Sequence, residues 1–172
     1  MGWVVLTGYM GAGKTTVGRE VAARMNMEFV DSDAAIQERA RLTIAEIFSK
    51  KGEFWFRRTE ETVIREIVSR EPSGVLAIGG GAVESARTRD LLGRVAHVVW
   101  LRLDAETAWP RVAGSGRPLA MDEARFARRY AGRVAAYDEV SDIALDAAAP
   151  IEEVVTDVVD WASRVTDGGT TG

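Results

Sequence analysis

The sequence contains no cysteine and only one histidine among its 172 residues. The lack of cysteine excludes disulfides, thiolate catalysis and zinc sites built on sulfur. The single histidine, His97, lies within the apolar stretch Ala-His-Val-Val-Trp-Leu. We interpret it as a core or strand-end residue and not as a catalytic one.

The chain also lacks an excess of positive charge and long apolar runs. Its 22 Lys and Arg against 26 Asp and Glu give a net charge of −4, which provides no general attraction to nucleic acid or anionic membranes. No apolar run approaches the ~20 residues of a membrane span, and the N-terminus leads directly into a strand. We therefore expect a cytoplasmic protein with neither nucleic-acid nor membrane partners. The length and the 47% hydrophobic content predict a single domain over residues 1–166 and a flexible tail at 167–172.

A phosphate-binding loop follows the first apolar run. The stretch Gly8-Tyr-Met-Gly-Ala-Gly-Lys-Thr15 fits the pattern G-x-x-x-x-G-K-[ST] at every fixed position. Its glycines let the chain turn tightly enough to aim several backbone N–H groups at one anion. We expect Lys14 to reach the outer phosphates and the Thr15 hydroxyl to hold Mg²⁺, with the positive end of the next helix beneath the phosphates. The predicted nucleotide-binding residues of this loop are Gly11, Ala12, Gly13, Lys14, Thr15 and Thr16.

The alternative for this stretch is a glycine-rich turn between a strand and a helix, with a chance Lys-Thr after it. The apolar strand before the loop and the helical pattern after it, which includes Val17 and Val21, disfavour that alternative. The loop alone indicates a nucleoside triphosphate, and other residues must show what is done with the phosphate.

Segments with helical periodicity alternate with short, uniformly apolar segments along the chain. This alternation predicts an α/β fold in which a parallel sheet of about five strands is covered by helices on both faces. The stretch from Thr43 to Glu46 predicts a capping box at a helix start, and Gly52 interrupts that helix. A later helix opens at Asp104 and is not expected to continue normally through Pro110.

Two carboxylates, Asp31 and Asp33, follow the second predicted strand. The end of a parallel strand lies at the rim where such folds bind ligands. Residues two apart on an extended segment point the same way, so one carboxylate could face water on Mg²⁺ and the other a substrate hydroxyl. The alternative is a solvated pair that caps the next helix, and the two readings are compatible.

Three consecutive glycines, Gly79, Gly80 and Gly81, follow the third predicted strand. Each glycine costs backbone entropy on folding, so a plain turn rarely needs three. We expect something bulky to pack directly on this backbone, and a substrate ring is a candidate.

Three arginines are candidates for binding anions. Arg57 follows three aromatic residues, and an arginine beside apolar bulk is well suited to grip a carboxylate with two hydrogen bonds. For Arg57 and for Arg133, which lies on an arginine-rich helix, the alternative is an ordinary surface arginine. Arg117 lies between a glycine and a proline, which suits a mobile lid at about residues 112–122 that covers phosphates. A salt-bridged loop arginine is the alternative there. We interpret Trp55 as core filling, with a ring contact as the alternative.

Taken in this order, these features closely resemble the shikimate kinase family. The resemblance spans residues 3–158 and rests on the phosphate loop, Asp31-Ser-Asp33, Gly52-Glu53 leading to Phe56-Arg57, Gly79-Gly-Gly81, Arg117-Pro-Leu119, and Arg133 four residues before Tyr137. It implies a three-layer sandwich of the nucleoside-monophosphate-kinase type, acting as a monomer. It also implies an enzyme that transfers the γ-phosphoryl group of ATP to the 3-hydroxyl of shikimate, with Mg²⁺ as the metal.

The resemblance further implies a role for each matching residue. Lys14 and Arg117 would contact the transferring phosphoryl group, and Asp31 would help Thr15 at Mg²⁺ through water. Asp33 would orient the attacking hydroxyl, either as an orienter alone or also as the base that takes its proton. The shikimate carboxylate would be clamped by Arg57 and Arg133, and the ring site lined by Gly79, Gly80 and Gly81.

The sequence departs from the family pattern at three places. It lacks the proline that the family usually has before Tyr137, and Arg41 stands where the family often has a glycine at a helix end. The stretch 146–150, where the family often contacts adenine, has no basic or amide side chain. Arg111 and Pro150 are therefore the candidates for base contacts. The alternatives to a shikimate kinase are a kinase of another small hydroxy acid, such as gluconate or a shikimate analogue, and a non-enzymatic nucleotide switch.

Overall fold

Strands and helices alternate along the chain in the computed structural model, which describes residues 2–70, 72–115 and 122–167. The strands are β1 (Trp3–Thr7), β2 (Phe29–Asp31), β3 (Val75–Ala77), β4 (Ala96–Arg102) and β5 (Ile143–Asp146). The helices are α1 (Lys14–Met25), α2 (Ser32–Ala40), α3 (Ile44–Val68), α4 (Ala86–Val95), α5 (Ala105–Val112), α6 (Glu123–Val140) and α7 (Ile151–Asp167), with a 3₁₀ turn at Ala82–Glu84.

The strands form one parallel sheet in the order β2-β3-β1-β4-β5. Strand β1 is central and pairs with β3 on one side, where Leu6 faces Ala77, and with β4 on the other, where Leu6 faces Val99. The connections on the two sides of β1 therefore run in opposite directions. Open α/β sheets bind ligands at the carboxyl end of the strands at such a point. The predicted α/β fold with a five-stranded parallel sheet is confirmed.

Alternating residues of β1 face two separate apolar cores. Val4 and Leu6 pack with α1 and α7 on one face, whereas Trp3 and Val5 pack with α3 and α4 on the other. Both faces of the sheet are thus covered, which explains why the strand reads as continuously apolar. Among the described helices, none has the length and apolar character needed to cross a membrane.

Two local predictions, the capping box and the glycine that interrupts the same helix, are confirmed, and the structure also shows the outcome of two departures from the family pattern. The capping box is present, because the Thr43 side chain accepts from the Glu46 amide and the Glu46 carboxylate accepts from the Thr43 amide. Gly52 kinks α3 with a φ of 82°. Helix α6 is continuous across the position of the missing proline. Arg41 ends α2 with a φ of 52°, a left-handed conformation that glycine adopts more readily.

Three predictions differ from the structure. Helix α5 continues through Pro110, because the proline lies in its last turn and the Ala113 amide still donates to Trp109 O at 2.9 Å. Phe54, the first of the three aromatic residues that were expected to provide apolar bulk beside Arg57, is 77% exposed. Helix α2 begins at Ser32, so Asp33 is helical and does not share an extended segment with Asp31.

Candidate functional site: a phosphate loop facing an arginine pocket

The phosphate loop lies between β1 and α1, at the carboxyl edge of the sheet. Gly11 and Gly13 adopt φ values of 86° and 83°, which residues with a Cβ atom rarely adopt. The Lys14 Nζ donates to Gly8 O at 2.7 Å and to Tyr9 O at 3.1 Å. The ammonium group therefore lies within the curve of its own loop.

Thr15 and Asp31 meet beside this loop. The Thr15 hydroxyl donates to Asp31 Oδ2 at 2.7 Å. The other carboxylate oxygen of Asp31 accepts from the backbone amides of Asp33 and Ala34 at 2.9 and 3.3 Å and so caps α2. Both readings of Asp31 are compatible with this geometry, since one oxygen caps the helix while the other faces the loop.

The two predicted clamp arginines reach the same cavity from different elements. Arg57 lies on α3 and donates from Nη1 to Glu60 Oε2 at 2.7 Å and from Nη2 to Glu53 Oε1 at 3.4 Å. Arg133 lies on α6, is 2% exposed, and donates from Nη2 to Glu84 Oε2 at 2.9 Å. Neither is an ordinary surface arginine. We call these two arginines, Glu60, Glu84 and the glycine bend at 79–81 the arginine pocket.

Glu60 was missed by sequence reasoning. It is 2% exposed, and this burial raises the pKa of its carboxyl group to about 7, even though the salt bridge to Arg57 acts in the opposite direction. Burial tends to lower the pKa of Arg57, but the carboxylates of Glu60, Glu84 and Glu53 together raise it. A signal was present in the sequence, because Glu60 falls on the same helical stripe as Phe56, Val63 and Ile64, all of which are buried.

The glycine bend gives these side chains room. A Cβ at position 81 would lie 2.4 Å from Arg57 Nη1, and one at position 79 would lie 2.4 Å from Glu60 Oε1 and 3.1 Å from Asp33 Oδ1. The expectation of something bulky against this backbone is met by the protein's own functional groups, Asp33, Arg57 and Glu60. Contact of the same backbone with a substrate ring stays a prediction.

Helix α6 supports the bend from behind. The Tyr137 hydroxyl donates to Gly80 O at 2.5 Å, and its ring stacks on Trp100 with centroids 5.5 Å apart. Burial raises the pKa of Tyr137 above its ordinary value, so the hydroxyl keeps its proton as a donor. The same helix thus positions Arg133 and, one turn further on, the support of the glycine bend.

One cavity of about 650 Å³ joins the phosphate loop to the arginine pocket. Among the predicted site residues, those that line it are Gly11, Gly13, Lys14, Thr15, Thr16, Asp31, Asp33, Arg57, Gly79, Gly80, Gly81, Arg111 and Arg133. Aromatic rings of Phe48 and Phe56 form part of its wall. The sequence therefore predicted most of a lining that comes together only in the folded chain.

Some predicted residues do not line this cavity or lie outside the described residues. The Ala12 side chain is buried in the core, and its amide donates to Tyr9 O at 3.2 Å. Arg111 reaches the loop, where Nη1 donates to Gly11 O at 3.1 Å, whereas Pro150 is not part of the lining. Arg117 and most of the predicted lid fall on residues 116–121, which are outside the described residues. Helix α7 extends to Asp167, one residue into the predicted tail, and residues 168–172 are outside the described residues.

The remaining interpretations concern residues away from the cavity. His97 lies near the start of β4, half-buried, with its ring edge-on to Trp161 at 6.2 Å, as expected for a strand-end histidine. Trp55 packs partly against the core, and Lys51 lies over its ring at 4.9 Å. Both residues are separate from the site, in agreement with the sequence interpretation.

The sheet order, the phosphate loop after the central strand and one cavity that joins this loop to two arginines are the features of a P-loop kinase that acts on a small molecule. A family model described as shikimate kinase matches residues 10–163, nearly the whole chain. The chain belongs to the shikimate kinase family.

Individual relatives agree with this assignment. The chain is 42% identical over 147 residues to a shikimate kinase of Halorhodospira halophila, covering 83% of this chain and 82% of that protein. It is 38% identical over 161 residues to a shikimate kinase of Ruegeria pomeroyi, covering 91% and 82%. The structure of a shikimate kinase from Acinetobacter baumannii in complex with shikimate superposes with a TM-score of 0.88 at 32% identity, covering 100% of this chain and 96% of that one. A gluconokinase from Sinorhizobium meliloti shares the fold alone, with a TM-score of 0.62 at 17% identity.

Proposed function

We propose that the protein is a shikimate kinase, which transfers the γ-phosphoryl group of ATP to the 3-hydroxyl of shikimate and releases 3-phosphoshikimate and ADP. The observation that carries this proposal is the single cavity with a phosphate loop at one end and two arginines at the other. A small hydroxylated carboxylate fits that arrangement, and the superposed Acinetobacter baumannii enzyme is in complex with shikimate.

At the phosphate end, backbone amides of the loop and the Lys14 ammonium group would neutralise the charge of the triphosphate. Phosphoryl transfer has a loose transition state, so charge neutralisation and positioning supply most of the rate enhancement. Arg111 is held against Gly11 O and would stay beside the nucleotide. We assign Arg117 to the transferring group as well, on the basis of the family motif alone.

At the acceptor end, Arg57 and Arg133 would grip the carboxylate of shikimate with charge-assisted hydrogen bonds. Asp33 lines the same cavity, and its Oδ1 lies beside Gly79 in the glycine bend. Its carboxylate would accept a hydrogen bond from the 3-hydroxyl, align the oxygen with the γ-phosphorus, and take the proton as the O–P bond forms and the bond to ADP breaks. The backbone of Gly79, Gly80 and Gly81 would line the ring.

The residues beside the loop fit Mg²⁺. The Thr15 hydroxyl and Asp31 Oδ2 are hard oxygen donors 2.7 Å apart, the type of ligand that Mg²⁺ prefers. Among the described residues no cluster of three acidic or histidine side chains could hold a metal by itself. This agrees with an ion that keeps most of its contacts to water and phosphates. When bound, Mg²⁺ would neutralise phosphate charge next to Lys14.

We also propose that residues 1–166 act as one domain with a lid at about 112–122, that the enzyme is a monomer, and that it works in the cytoplasm, where ATP is available. Size-exclusion chromatography with light scattering tests the monomer. A dimer would contradict that part of the proposal and leave the reaction untouched.

The decisive experiment is a substrate panel. The protein is mixed with ATP and Mg²⁺, ADP release is followed by a coupled assay, and shikimate is compared with quinate, gluconate and no acceptor. We expect turnover to depend on shikimate, with the product identified by mass spectrometry. A preference for gluconate would assign the alternative kinase, and ADP release that no acceptor stimulates would favour the nucleotide switch.

A further inference from the structure

Arg133 already has a carboxylate partner within the protein. Its Nη2 donates to Glu84 Oε2 at 2.9 Å, and the arginine side chain is 2% exposed. A buried guanidinium without a counter-charge is strongly destabilising. Glu84 therefore offsets the burial of Arg133 when no substrate is present.

The hydrogen bond to Glu84 uses only part of one edge of the guanidinium. The Nε–H group of Arg133 is buried and has no acceptor among the described residues. On a guanidinium, Nε–H and an Nη2–H point along the same edge and together match the two oxygens of a carboxylate. Glu84 thus takes only one of the two donors on this edge, and the buried Nε–H group is left without a partner among the described residues.

The position of Glu84 allows its side chain to move away from Arg133. It belongs to the 3₁₀ turn Ala82–Glu84 directly after the glycine bend, and its side chain is 49% exposed. It also lines a second cavity of about 310 Å³, which shares Arg57, Glu60 and Gly81 with the wall of the main cavity. Because the Glu84 side chain is half exposed and already lines this cavity, it can turn into the cavity without crossing the core.

The charge of Glu84 reaches both clamp arginines. Besides its bond to Arg133, it raises the pKa of Arg57 through space. With Glu53 and Glu60 on Arg57, three carboxyl groups surround two guanidinium groups. The arginine pocket is therefore not an open positive patch, because its charges are already matched before a substrate arrives.

We propose that Glu84 is an exchangeable counter-ion that competes with the substrate carboxylate for Arg133 and thereby sets the affinity and selectivity of the arginine pocket. The proposal rests on the proposed function, in which Arg133 receives that carboxylate. On binding, the substrate takes both Nε and Nη2, and Glu84 turns toward the second cavity. A ligand that lacks a carboxylate cannot replace Glu84, so it leaves the internal pair in place and gains little from Arg133.

The test uses the full-length protein and the substitution Glu84→Gln. Shikimate binding is measured by isothermal titration calorimetry without nucleotide, and kcat and KM by the coupled assay. Removing the competing charge is expected to lower the Kd and KM for shikimate about three- to tenfold, with kcat changed less than about twofold. The methyl ester of shikimate, which has no negative charge, is expected to show less than about a twofold change in Kd.

Glu139→Gln is the matched control. It removes the same charge from the helix that carries Arg133, but Glu139 pairs with Arg89 at 3.0 Å instead. We expect its shikimate Kd to stay close to that of the wild type, because an exposed charge outside the pocket is screened by solvent and salt.

A Glu84→Gln variant that binds shikimate as tightly as the wild type, or more weakly, would overturn the proposal, because weaker binding means that Glu84 only orients Arg133. If this variant does not fold, a crystal structure of the wild type with shikimate decides. Separation of Glu84 from Arg133 supports the exchange, and a retained bond overturns it. Wild-type protein without shikimate turnover would instead overturn the proposed function.

Discussion

The two ends of the cavity are built from different kinds of hydrogen-bond donor. The phosphate end is built from consecutive residues between Gly8 and Thr16, and its donors are mostly backbone amides and one ammonium group. The arginine pocket combines Arg57, Glu84 and Arg133 from three separate elements, and its donors are side chains paired with carboxylates. A backbone site has a fixed positive character, whereas a paired side-chain site can be adjusted by changing a counter-ion. We therefore expect substitutions at the first end to reduce kcat and those at the second to change KM.

The largest effect is expected for Lys14→Met. The substitution keeps the side-chain length but removes the ammonium group at the transferring phosphate. Loss of one such electrostatic contact costs about 10²–10³-fold in kcat. The coupled assay measures it, and Lys51→Met, on an exposed lysine over Trp55, is the control. A loss below about tenfold would mean that Lys14 is not a transition-state contact.

Arg57→Ala should instead raise the shikimate KM. A charge-assisted hydrogen bond to a carboxylate contributes about 1.5–3 kcal/mol, so we expect KM to rise about 10- to 100-fold with little change in kcat. Arg58→Ala, which removes an exposed neighbour that lies over Phe54, serves as the control. Unchanged shikimate affinity in Arg57→Ala would remove this residue from the clamp.

Glu60→Gln tests whether the arginine pocket responds to pH. The pKa of Glu60 is raised from 4.5 to about 7 in the folded protein. As the pH rises between these values, the unfolded chain releases this proton first, so the free energy of unfolding falls and then levels off above pH 7. Urea unfolding at pH 5 and pH 8 should show that the wild type loses on the order of 3 kcal/mol more than Glu60→Gln. Equal losses in both proteins would show that Glu60 is ionised throughout this range.

The same titration should appear in substrate binding. Ionised Glu60 neutralises part of the charge of Arg57, so the shikimate KM of the wild type is expected to rise between pH 6 and pH 8. In Glu60→Gln this rise should be smaller. The KM for ATP is the internal control, because the phosphate loop is at the other end of the cavity.

The smallest effect is expected for Tyr137→Phe. This change removes the hydroxyl that donates to Gly80 O and keeps the ring that stacks on Trp100. The loss of one neutral hydrogen bond should cost about 1 kcal/mol of stability and raise the shikimate KM severalfold. Thermal unfolding and steady-state kinetics measure both, with Tyr130→Phe on the same helix for comparison. A fully wild-type KM would show that the glycine bend needs no such support.

The two ends also differ in how far they could be predicted. The phosphate loop depends on local spacing, so its glycines, Lys14 and Thr15 were identified directly from the sequence. Arg57 and Arg133 were ambiguous as single residues and became convincing only through the family resemblance. Their convergence on one cavity depends on the packing of α3 and α6 against the sheet, which no local pattern encodes.

The carboxylates of the arginine pocket were not predicted. Glu60 was detectable as an acidic residue on a buried helical stripe, but Glu84 has no such signal, since its partner is 49 residues away. The error at Pro110 has a simpler cause. A proline removes the hydrogen bond of its own N–H and crowds the carbonyl four residues earlier, but it does not stop later residues from bonding back, as the Ala113 amide does to Trp109 O.

Helix α6 contacts both ends of the cavity. At its first turns Phe126 O accepts the hydroxyl of Tyr9, a residue of the phosphate loop. Further along it presents Arg133, and then Tyr137 at the glycine bend. Its 18 residues form a helix roughly 27 Å long. This length fixes the distance between the phosphate end of the cavity and the arginine pocket. A substitution that shifts α6 along its axis would displace both ends of the cavity. We therefore expect the KM values for ATP and shikimate to change in parallel in variants of the buried face of α6.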